Sequence, residues 1–580
     1  MGLNIRFLLL AALIYPGMLI VVNALSYDYT AIVECLESPH KPQYGGGIIV
    51  NPEFNEGLKG WSSFGEAKIQ HIESQGNKFI AAQTRSHPYA SISQKLYLDK
   101  NKLYTFSAWL RVSNGSVPVT AVFKTSSGFK HAGSTIAEPS CWSMVKGGLT
   151  VDESGPAELY FQSNDTSVEI WVDSVSLQPF TEEQWKSHQV QSINKAHKKE
   201  LRIQVVDAQG KPLPNSTISL QQKLPGFPFG CAINSNILTN TAYRNWYAAR
   251  PFTVTTFENE MKWYSTEVSE GKLDYSLCDS LLDFAKQQSL SVRGHNVFWD
   301  VQQYQPSWLS SLPRTQLLAA SYSRLNSVMS RYKGQVIAWD VVNENVHGSF
   351  FENALSESAS ALFYNWALKA DGNALLFMND YNTIEESGDA SSSPALYLSK
   401  LKQISEDPDN RGKIKMAIGL EGHFSTPNLP YVRAAIDTVA AAGVPVWITE
   451  LDVSSSPQQA SYLEQILREV RSHPQVSGIV IWAPWRPEGC YRMCLTDNNF
   501  KNLATGDVVD KLMHEWGWQR LESATTDADG FFETSLFHGD YEVKISHPTL
   551  ENSYSAQTLK VDSTSTDHSQ KTPLFLQVSA

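Results

Sequence analysis

Residues 228–482 alternate short apolar, β-branched runs with segments of helical period, and this alternation constrains the fold more than any other feature. Strands that alternate with helices are typical of right-handed βαβ units, which place the strands parallel in one sheet. Eight such repeats predict closure into a (β/α)8 TIM barrel, for which a span of roughly 290 residues is suitable. The predicted strands are Pro228–Asn234, Phe252–Asn259, Ser291–Trp299, Val336–Glu344, Ala374–Tyr381, Lys415–His423, Pro445–Val453 and Val476–Trp482.

A doubly wound open sheet is the alternative architecture for alternating strands and helices. Such sheets often carry a glycine-rich phosphate turn after the first strand, and the sequence has none there. The barrel is therefore the favoured prediction. The helices predicted between its strands include Tyr275–Gln288, Arg314–Tyr332, Ala359–Ala370, Pro394–Ile404, Tyr431–Ala442 and Ala460–Arg471.

Two of the predicted strands deliver a glutamate. The runs that contain Glu344 and Glu450 are apolar, as expected for buried strands that carry a carboxylate to the C-terminal rim of a parallel sheet. Two carboxyl groups across a cleft are the minimal equipment for cleaving a glycosidic bond. One protonates the leaving oxygen, and the other attacks the sugar or activates a water molecule. Glu344 and Glu450 are therefore the candidate catalytic residues.

Polar and aromatic residues cluster at the ends of seven of the predicted strands. A sugar site needs flat aromatic faces for pyranose rings, together with amides and charges for hydroxyl groups. A single His or Trp is more often a core residue than a ligand contact, but convergence on one rim predicts a site. In chain order these residues are Glu258, Asn259, Lys262, Trp263, His295, Trp299, Gln302, Asn343, Asn379, Asp380, Tyr381, Glu421, His423, Asp452, Trp482 and Trp485.

A metal centre is the weaker interpretation of the same residues. His295 and His423 could bind a divalent ion together with nearby acids. The sequence offers no His-x-x-x-His motif and no cysteine cluster in support. We therefore predict neither a metal nor another cofactor.

Residues 45–180 have a different texture, with strand-like alternations that recur about every ten residues between turn-forming residues. This pattern predicts a jelly-roll β-sandwich. Most of its aromatic residues should form the core, and a minority on one exposed face would make a sugar-stacking platform, as in a carbohydrate-binding module. Residues 181–200 are predicted to be a linker. The predicted strands are Lys68–Ile72, Ala90–Leu96, Leu103–Arg111, Val119–Lys124, Cys141–Val145, Ala157–Gln162 and Val168–Leu177.

Strand-like segments also flank the barrel on both sides. Leu201–Asp207 and Ser216–Gln221 have the pattern of a hairpin around a Gly-Lys-Pro turn. Because an isolated hairpin is marginally stable, we predict that residues 201–223 and 521–580 form one small immunoglobulin-like sandwich, with the barrel of residues 224–520 inserted. Two unrelated β-extensions packed on the barrel are the alternative. The strands predicted after the barrel are Asp527–Leu536, Gly539–Ser546 and Ala556–Val561.

The first 24 residues predict secretion. An apolar run from Phe7 to Val22 follows Arg6 and leads to a Val-Asn-Ala end, as in a cleaved signal peptide. An uncleaved membrane anchor is the alternative, although the run is short for a span of about 20 residues. We therefore expect an extracellular protein of the cell wall, without membrane contact after cleavage.

Cysteine content and charge agree with that compartment. Six cysteines fit an oxidising environment, in which Cys35 could pair with Cys141 and Cys490 with Cys494. The formal net charge of −12 argues against nucleic acid as a partner. N-glycosylation is expected at three sequons, Asn114, Asn164 and Asn215.

Six motifs of the barrel region occur in the form and order of a known family. Residues 228–518 resemble glycoside hydrolase family 10 endo-β-1,4-xylanases, and the whole architecture is similar to that of plant xylanases. Residues 45–180 are similar to a family 22 carbohydrate-binding module, mainly through motifs at 51–54, 60–61 and 172–177. The family 10 motifs are Glu258-Asn259-Glu260-Met261-Lys262-Trp263, Arg293-Gly294-His295, Trp339-Asp340-Val341-Val342-Asn343-Glu344, Asn379-Asp380-Tyr381-Asn382, Gly422-His423-Phe424 and Thr449-Glu450-Leu451-Asp452.

The resemblance implies a role for each residue at the rim. Glu344 would be the acid/base and Glu450 the nucleophile of a retaining mechanism, with their carboxyl groups about 5–5.5 Å apart. Asn343 would bind the sugar 2-hydroxyl, and His423 with Asp452 would position Glu450. The other predicted substrate contacts are Glu258, Asn259, Lys262, His295, Trp299, Gln302, Tyr381 and Trp482.

Two positions depart from the family pattern. Asp300 stands where a His is usual, and Glu421 stands where a Gln is usual. An added carboxyl group near Glu450 would disfavour a second ionised acid and raise the pKa of a neighbour. We expect Glu421 to support the catalytic pair and to affect the pH profile more than the reaction.

The predicted function is the retaining endo-hydrolysis of β-1,4-xylosidic bonds in xylan or arabinoxylan, in plant cell-wall remodelling by a monomeric enzyme. A xylan endotransglycosylase, which would use the same residues, is one alternative. A non-catalytic protein that binds wall polysaccharides is the other. The intact pair of Glu344 and Glu450 favours an enzyme.

Overall fold

The computed structural model describes residues 25–548, 555–562 and 574–578. The predicted signal peptide, residues 1–24, lies outside these ranges. Within them, no helix combines the length and the apolar character that a membrane crossing requires. The helices in these ranges are Glu182–His197, Thr241–Ala248, Trp263–Thr266, Ser276–Gln287, Arg314–Tyr332, Phe350–Ala354, Ala359–Ala370, Pro394–Ser405, Leu429–Ala440, Gln459–Ser472 and Ala504–Glu515.

The central domain is a closed parallel barrel, as predicted. Closure is visible at the first strand, where Gly230 pairs with Val254 of the second strand and Phe229 pairs with Ile479 of the eighth. The strands are almost wholly buried, which explains their continuous apolar sequences. In order they are Phe229–Cys231, Val254–Thr256, Ser291–Gly294 (extended by Phe298–Trp299), Ala338–Asn343, Leu375–Asp380, Met416–Leu420 (followed by His423–Phe424), Val446–Val453 and Val476–Ile481.

The N-terminal module is a sandwich of two antiparallel sheets of five strands each, around its own apolar core. Three of its strands, Ser62–Phe64, Asn77–Gln83 and Gly128–Ala137, are additional to those predicted. In spatial order the first sheet is Ser62–Phe64, Ser91–Leu98, Gly155–Gln162, Val117–Thr125 and Gly128–Ala137. The second is Lys68–Ser74, Asn77–Gln83, Ile170–Phe180, Leu103–Val112 and Ser143–Leu149.

The segment predicted as a linker forms a helix instead. Glu182–His197 begins at a capping box in which the Thr181 side chain accepts a hydrogen bond from the Gln184 backbone N–H. The Trp185 indole donates to Glu469 of the barrel at 2.7 Å, and Gln189 donates to the same carboxylate at 2.8 Å. The connection between the module and the barrel is therefore anchored along its length.

A buried ion pair joins the module directly to the barrel. Lys146 Nζ lies 2.7 Å from Asp437 Oδ2, and the two side chains are 3% and 1% exposed. The same carboxylate accepts a hydrogen bond from Tyr27 at 2.6 Å and lies 2.9 Å from His473 Nε2. Because a buried charge is costly unless it is paired, this cluster fixes how the module sits on the barrel.

The segments before and after the barrel share one small β-sandwich with its own apolar core. Lys198–Val206 pairs with Phe531–Phe537 and Leu574–Gln577 in one sheet. In the other sheet, Thr217–Pro225 pairs with Leu521–Thr525 and Gly539–Ser546, which in turn pairs with Ser555–Val561. The predicted sandwich split around the barrel is thus present.

One detail of that prediction is wrong. Leu201–Asp207 and Ser216–Gln221 do not form a hairpin, because their strands lie in different sheets. The intervening turn folds back on the first strand, where the Leu213 backbone N–H donates to the Val205 carbonyl at 2.9 Å. The chain then crosses to the second sheet, since the apolar faces of both strands must cover the same core.

Both suggested cysteine pairs are bonded in the structure, Cys35 with Cys141 and Cys490 with Cys494. The other two cysteines, Cys231 and Cys278, are buried thiols. The predicted sequon residues Asn114, Asn164 and Asn215 are all exposed, and their glycosylation stays a prediction.

Candidate active site

The fourth and seventh strands place Glu344 and Glu450 at the C-terminal rim. Glu344 immediately follows its strand and has the left-handed backbone angle φ 57°, which costs a non-glycine residue about 1 kcal/mol. Its N–H donates to the Asn379 carbonyl at 2.8 Å, and its carbonyl accepts from Gly348 at 2.7 Å. These two bonds hold the left-handed backbone conformation of Glu344 at the end of the strand.

Glu450 is 6% exposed and surrounded by positive and donor groups. Its Oε1 accepts a hydrogen bond from Asn379 Nδ2 at 3.0 Å and lies 3.8 Å from His295 Nε2. Burial alone would raise the pKa of this carboxyl group, but His295, His423 and Lys262 outweigh burial and lower the pKa to about 2. Glu450 is therefore ionised at neutral pH, as a nucleophile must be.

Glu344 has the opposite electrostatic environment. Burial raises its pKa to about 7, and the negative charges of Asp380 and Glu450 add to the shift. Glu344 thus holds a proton up to neutral pH while Glu450 holds none. Two carboxyl groups whose pKa values are driven apart in this way have the protonation states of a general acid and a nucleophile.

Asn379, from the fifth strand, connects the residues of this centre. Its amide nitrogen donates to Asn343 at 2.9 Å and to Glu421 at 3.2 Å, in addition to Glu450. Its amide oxygen accepts from the Thr449 hydroxyl, which fixes the orientation of the amide. Gly419 leaves the space for this side chain, because an added Cβ would lie 2.3 Å from Asn379 Oδ1.

Glu421 is a third carboxyl group of the centre and is 2% exposed. One carboxylate oxygen of Glu421, one ring nitrogen of His423 and one carboxylate oxygen of Glu450 all lie within 4.8 Å of one another. Burial raises the pKa of Glu421 well above its usual range, and the charges of Glu450 and Glu344 raise it further. Glu421 therefore stands as a neutral acid beside the ionised Glu450. We expected this added carboxyl group to raise the pKa of a neighbour, whereas here its own pKa is raised.

His423 is the cation that faces these acids. Its Nε2 lies 3.3 Å from Glu421 and 3.7 Å from Glu450, while its Nδ1 lies 3.1 Å from Asp452. Burial opposes its charge, yet the three carboxyl groups raise the pKa of His423 well above its usual value. Asp452 is itself bound by Arg492 at 2.6 Å, an arginine from the loop after the eighth strand that the sequence analysis missed.

The second, third and eighth strands form one side of the cleft. Lys262 Nζ donates to Asn259 at 3.1 Å and lies 4.2 Å from the centre of the Trp299 ring. Trp482 packs edge-to-face on His295, with ring centres 5.4 Å apart. A cation, an amide and two indole rings therefore converge here, as the sequence predicted.

Two other predicted residues of this side are placed differently. The Glu258 carboxylate is 1% exposed and is bound by Asn234 at 2.7 Å and by Arg486. Gln302 is exposed at the start of a short turn, and Tyr304 from that turn stacks on Trp299 at 3.9 Å. The structure thus presents Tyr304 to the cleft wall, a residue that the strand pattern gave no reason to select.

Tyr381 marks the other side of the cleft, beyond Glu344. The His347 ring stacks on it with centres 3.8 Å apart and planes 6° apart. His347 Nδ1 contacts Asp380 at 2.6 Å, and its Nε2 contacts Asp389 at 3.0 Å. His347 follows the Asn-Glu pair by three residues and lies in a loop, so no strand-end argument could identify it.

A closed (β/α)8 barrel with such a carboxyl pair at its C-terminal rim defines the protein as an enzyme of the glycoside hydrolase class. Comparison with known proteins is more specific. Residues 219–502 match the model of glycosyl hydrolase family 10, and residues 46–167 match that of a carbohydrate binding domain. The chain belongs to glycosyl hydrolase family 10.

Three curated relatives from Arabidopsis thaliana show how far the similarity extends. Endo-1,4-beta-xylanase 5 is 41% identical over 478 residues, which cover 81% of this chain and 84% of that protein. Endo-1,4-beta-xylanase 5-like is 38% identical, with 93% of each chain covered. Endo-1,4-beta-xylanase 4 is 36% identical, with 94% of each covered. The similarity therefore spans the module, the barrel and most of the flanking sandwich.

Proposed function

We propose that this protein hydrolyses internal β-1,4-xylosidic bonds of xylan, with Glu344 as acid/base and Glu450 as nucleophile. The observation that carries the proposal is the placement of both carboxyl groups at the barrel rim in opposite environments. Glu450 lies beside Asn379, His295 and His423, which favour its ionised form, whereas burial and Asp380 raise the pKa of Glu344 to about 7. Such a pair can carry out acid-assisted attack near neutral pH, because each carboxyl group already has the protonation state that its role requires. Relatives named as xylanases support the choice of sugar.

The reaction would proceed in two displacements. In the first, Glu344 gives its proton to the glycosidic oxygen while a Glu450 oxygen bonds to the anomeric carbon, and the leaving chain departs as an alcohol. In the second, Glu344 takes a proton from water, whose oxygen replaces Glu450 at the same carbon. Asn379 and His423 hold the Glu450 carboxylate throughout, so attack needs no rotation of the nucleophile.

The N-terminal module would bind the same polysaccharide. Its first sheet carries a cluster of packed rings in which Phe129 is exposed, Phe64 is half-buried and Tyr160 lies buried behind them, and exposed aromatic faces suit pyranose rings. A family 22 assignment for the module rests on the sequence motifs. Action on xylan outside the cell, in the plant cell wall, is part of the proposal, and the two disulfides and three exposed sequons support it.

The test is to incubate the purified full-length protein with xylan and follow the first product by NMR. The β-anomer is expected as the first product, because two inversions retain the configuration, and an α-anomer would contradict the mechanism. Glu344→Gln and Glu450→Gln should each lose hydrolysis of xylan. Added acceptor oligosaccharide separates hydrolysis from transglycosylation, since only a transglycosylase would convert the acceptor into longer chains as its main product.

A further inference from the structure

The outer surface of the module's first sheet carries an aromatic face, made of Phe64, Tyr89, Phe129 and Tyr160. Tyr89 and Phe129 are 41% and 58% exposed, Phe64 is half-buried, and Tyr160 is buried against Phe64. Phe64 stacks on Tyr160 with ring centres 4.1 Å apart and planes 5° apart. Phe129 packs edge-to-face on Tyr160 at 6.4 Å. Lys124 lies over Phe64, and Glu158 on the neighbouring strand accepts from Ser93, so charged groups border the rings.

This aromatic face adjoins the barrel through the edge strand Gly128–Ala137. Phe129 and His131 are two residues apart on that strand and so lie on the same face of the sheet. His131 packs against Gly388, where an added Cβ would lie 3.0 Å from His131 Nδ1. Gly388 belongs to the loop after the fifth barrel strand, so the strand that carries Phe129 reaches the C-terminal rim of the barrel.

The same loop, residues 381–389, leads back to the catalytic centre, and we call it the lip. Asp389 accepts a hydrogen bond from Asn382 at 2.7 Å and lies 3.0 Å from His347 Nε2. His347 stacks on Tyr381, at the start of the lip and on the Glu344 side of the cleft. A row of direct contacts therefore runs from Tyr381 through His347, Asp389 and Gly388 to the module.

The module cannot turn away from this position without breaking buried contacts. The Lys146–Asp437 pair and the bond from Trp185 to Glu469 are both buried. A binding module on a flexible tether acts only by raising the local concentration of polysaccharide near the catalytic domain. A module that is fixed in place also defines the path that a bound chain takes to the cleft.

The side of the cleft identifies which part of the substrate would follow that path. Lys262, Trp299 and Trp482 lie on the side formed by the second, third and eighth strands. The lip lies on the opposite side, beyond Glu344. Because the acid protonates the leaving oxygen, the chain beyond Glu344 is the leaving group, whose free end is the reducing end.

We propose that one continuous groove runs from the cleft across the lip and onto the aromatic face, where the module holds the reducing-end part of a long β-1,4-linked chain during cleavage. This inference rests on the proposed function. It adds that the module takes part in choosing which bond is cut, in addition to retaining the enzyme on its substrate.

The experiment compares full-length wild type with Phe129→Ala, an exposed position whose change should not impair folding. With xylotetraose, which is too short to reach the module, kcat/KM should stay at the wild-type value. With soluble xylan it should fall about fivefold or more, as for the loss of a central aromatic contact. Phe129→Tyr should restore it. Tyr322→Ala is the matched control, since Tyr322 is 52% exposed on the helix Arg314–Tyr332 of the barrel.

Long xylo-oligosaccharides labelled at the reducing end provide the decisive measurement. A continuous groove predicts long labelled products from wild type and shorter, more scattered ones from Phe129→Ala. An unchanged cleavage pattern, with or without weaker binding to insoluble xylan, would overturn the inference, because a separate binding module does not select bonds. Failure of wild type to cleave even xylotetraose would overturn the proposed function and this inference with it.

Discussion

Lys146 of the N-terminal module and Asp437 of the barrel form a buried ion pair, with Nζ and Oδ2 2.7 Å apart. The pKa of Asp437 is lowered although burial opposes ionisation, because Lys146 and His473 stabilise its negative charge. Stability from a depressed carboxyl pKa is present above the unfolded pKa and is lost as pH falls through the folded pKa. The docked arrangement should therefore persist at neutral pH and loosen only in acid.

Lys146→Ala should destabilise the protein strongly, since it leaves Asp437 buried without its cation. The expected cost is about 3 kcal/mol or more at neutral pH, with the module and barrel unfolding in separate calorimetric transitions. Lys130→Ala in the same module is the control, because Lys130 pairs with Asp152 at a site where the two side chains are 32% and 69% exposed. That change should cost less than about 1 kcal/mol. Equal effects of the two substitutions would contradict the role of the buried pair.

The pH dependence of kcat/KM should have two limbs. Glu450 must be ionised to attack, so activity is lost as pH falls toward its pKa of about 2. Glu344 must be protonated, so activity is lost as pH rises through its pKa of about 7. A Glu344→Gln variant assayed with an aryl glycoside, whose leaving group needs no proton, should lose the alkaline limb. A persistent alkaline limb in that variant would assign it to another group.

Glu421→Gln should keep activity within about threefold of wild type near neutral pH. A neutral acid and an amide have similar shape and carry no charge. Asn379 and His423 both donate toward Glu421, so the amide oxygen of Gln can accept from one of them while the other contact is weakened. Glu421→Ala should lose about tenfold or more, because His423 and Glu450 would shift when the contact is removed. Steady-state kinetics at several pH values decides the matter. A large loss in Glu421→Gln would show that Glu421 acts as an anion.

The split sandwich should be needed for the stability of the whole chain. Truncation after Arg520 would expose Ile203, Val205, Ile218 and Leu220, which are fully buried, at a cost of several kcal/mol at about 25 cal/mol per Å2. A matched pair of single substitutions tests the same idea in the intact chain. Leu576→Ala, in the core, should cost about 2 kcal/mol or more, whereas Phe575→Ala, 62% exposed on the same strand, should cost little. Thermal unfolding of the wild type, Leu576→Ala and Phe575→Ala provides the comparison.

The barrel and its catalytic pair could be predicted because the signal for each strand lies within its own short stretch of sequence. A parallel strand that is buried on both faces reads as a continuous apolar run, and a glutamate at its end falls on the rim. The module was less predictable, since an edge strand such as Gly128–Ala137 is half solvated and has no regular alternation. Its packing on the barrel depends on single charged pairs, which leave no periodic signal.

The functional residues that no sequence pattern identified are long side chains from loops. Arg486 and Arg492 lie in the irregular loop after the eighth strand, and they neutralise Glu258 and Asp452 far away in sequence. Long side chains from loops reach partners that only the closed fold brings near. The ion pair of Glu258 with Arg486 could not be foreseen for the same reason, and the contact of Glu258 with sugar stays a prediction.

The shared sandwich also has a consequence for synthesis on the ribosome. Lys198–Val206 and Thr217–Pro225 leave the exit tunnel before the barrel, but their partners Leu521–Thr525 and Phe531–Phe537 come after it. Until then both strands present unpaired edges and an uncovered apolar face, which are the features that promote association between nascent chains. The barrel can therefore be completed while the flanking sandwich still lacks Leu521–Thr525 and Phe531–Phe537, and these later strands complete the sandwich.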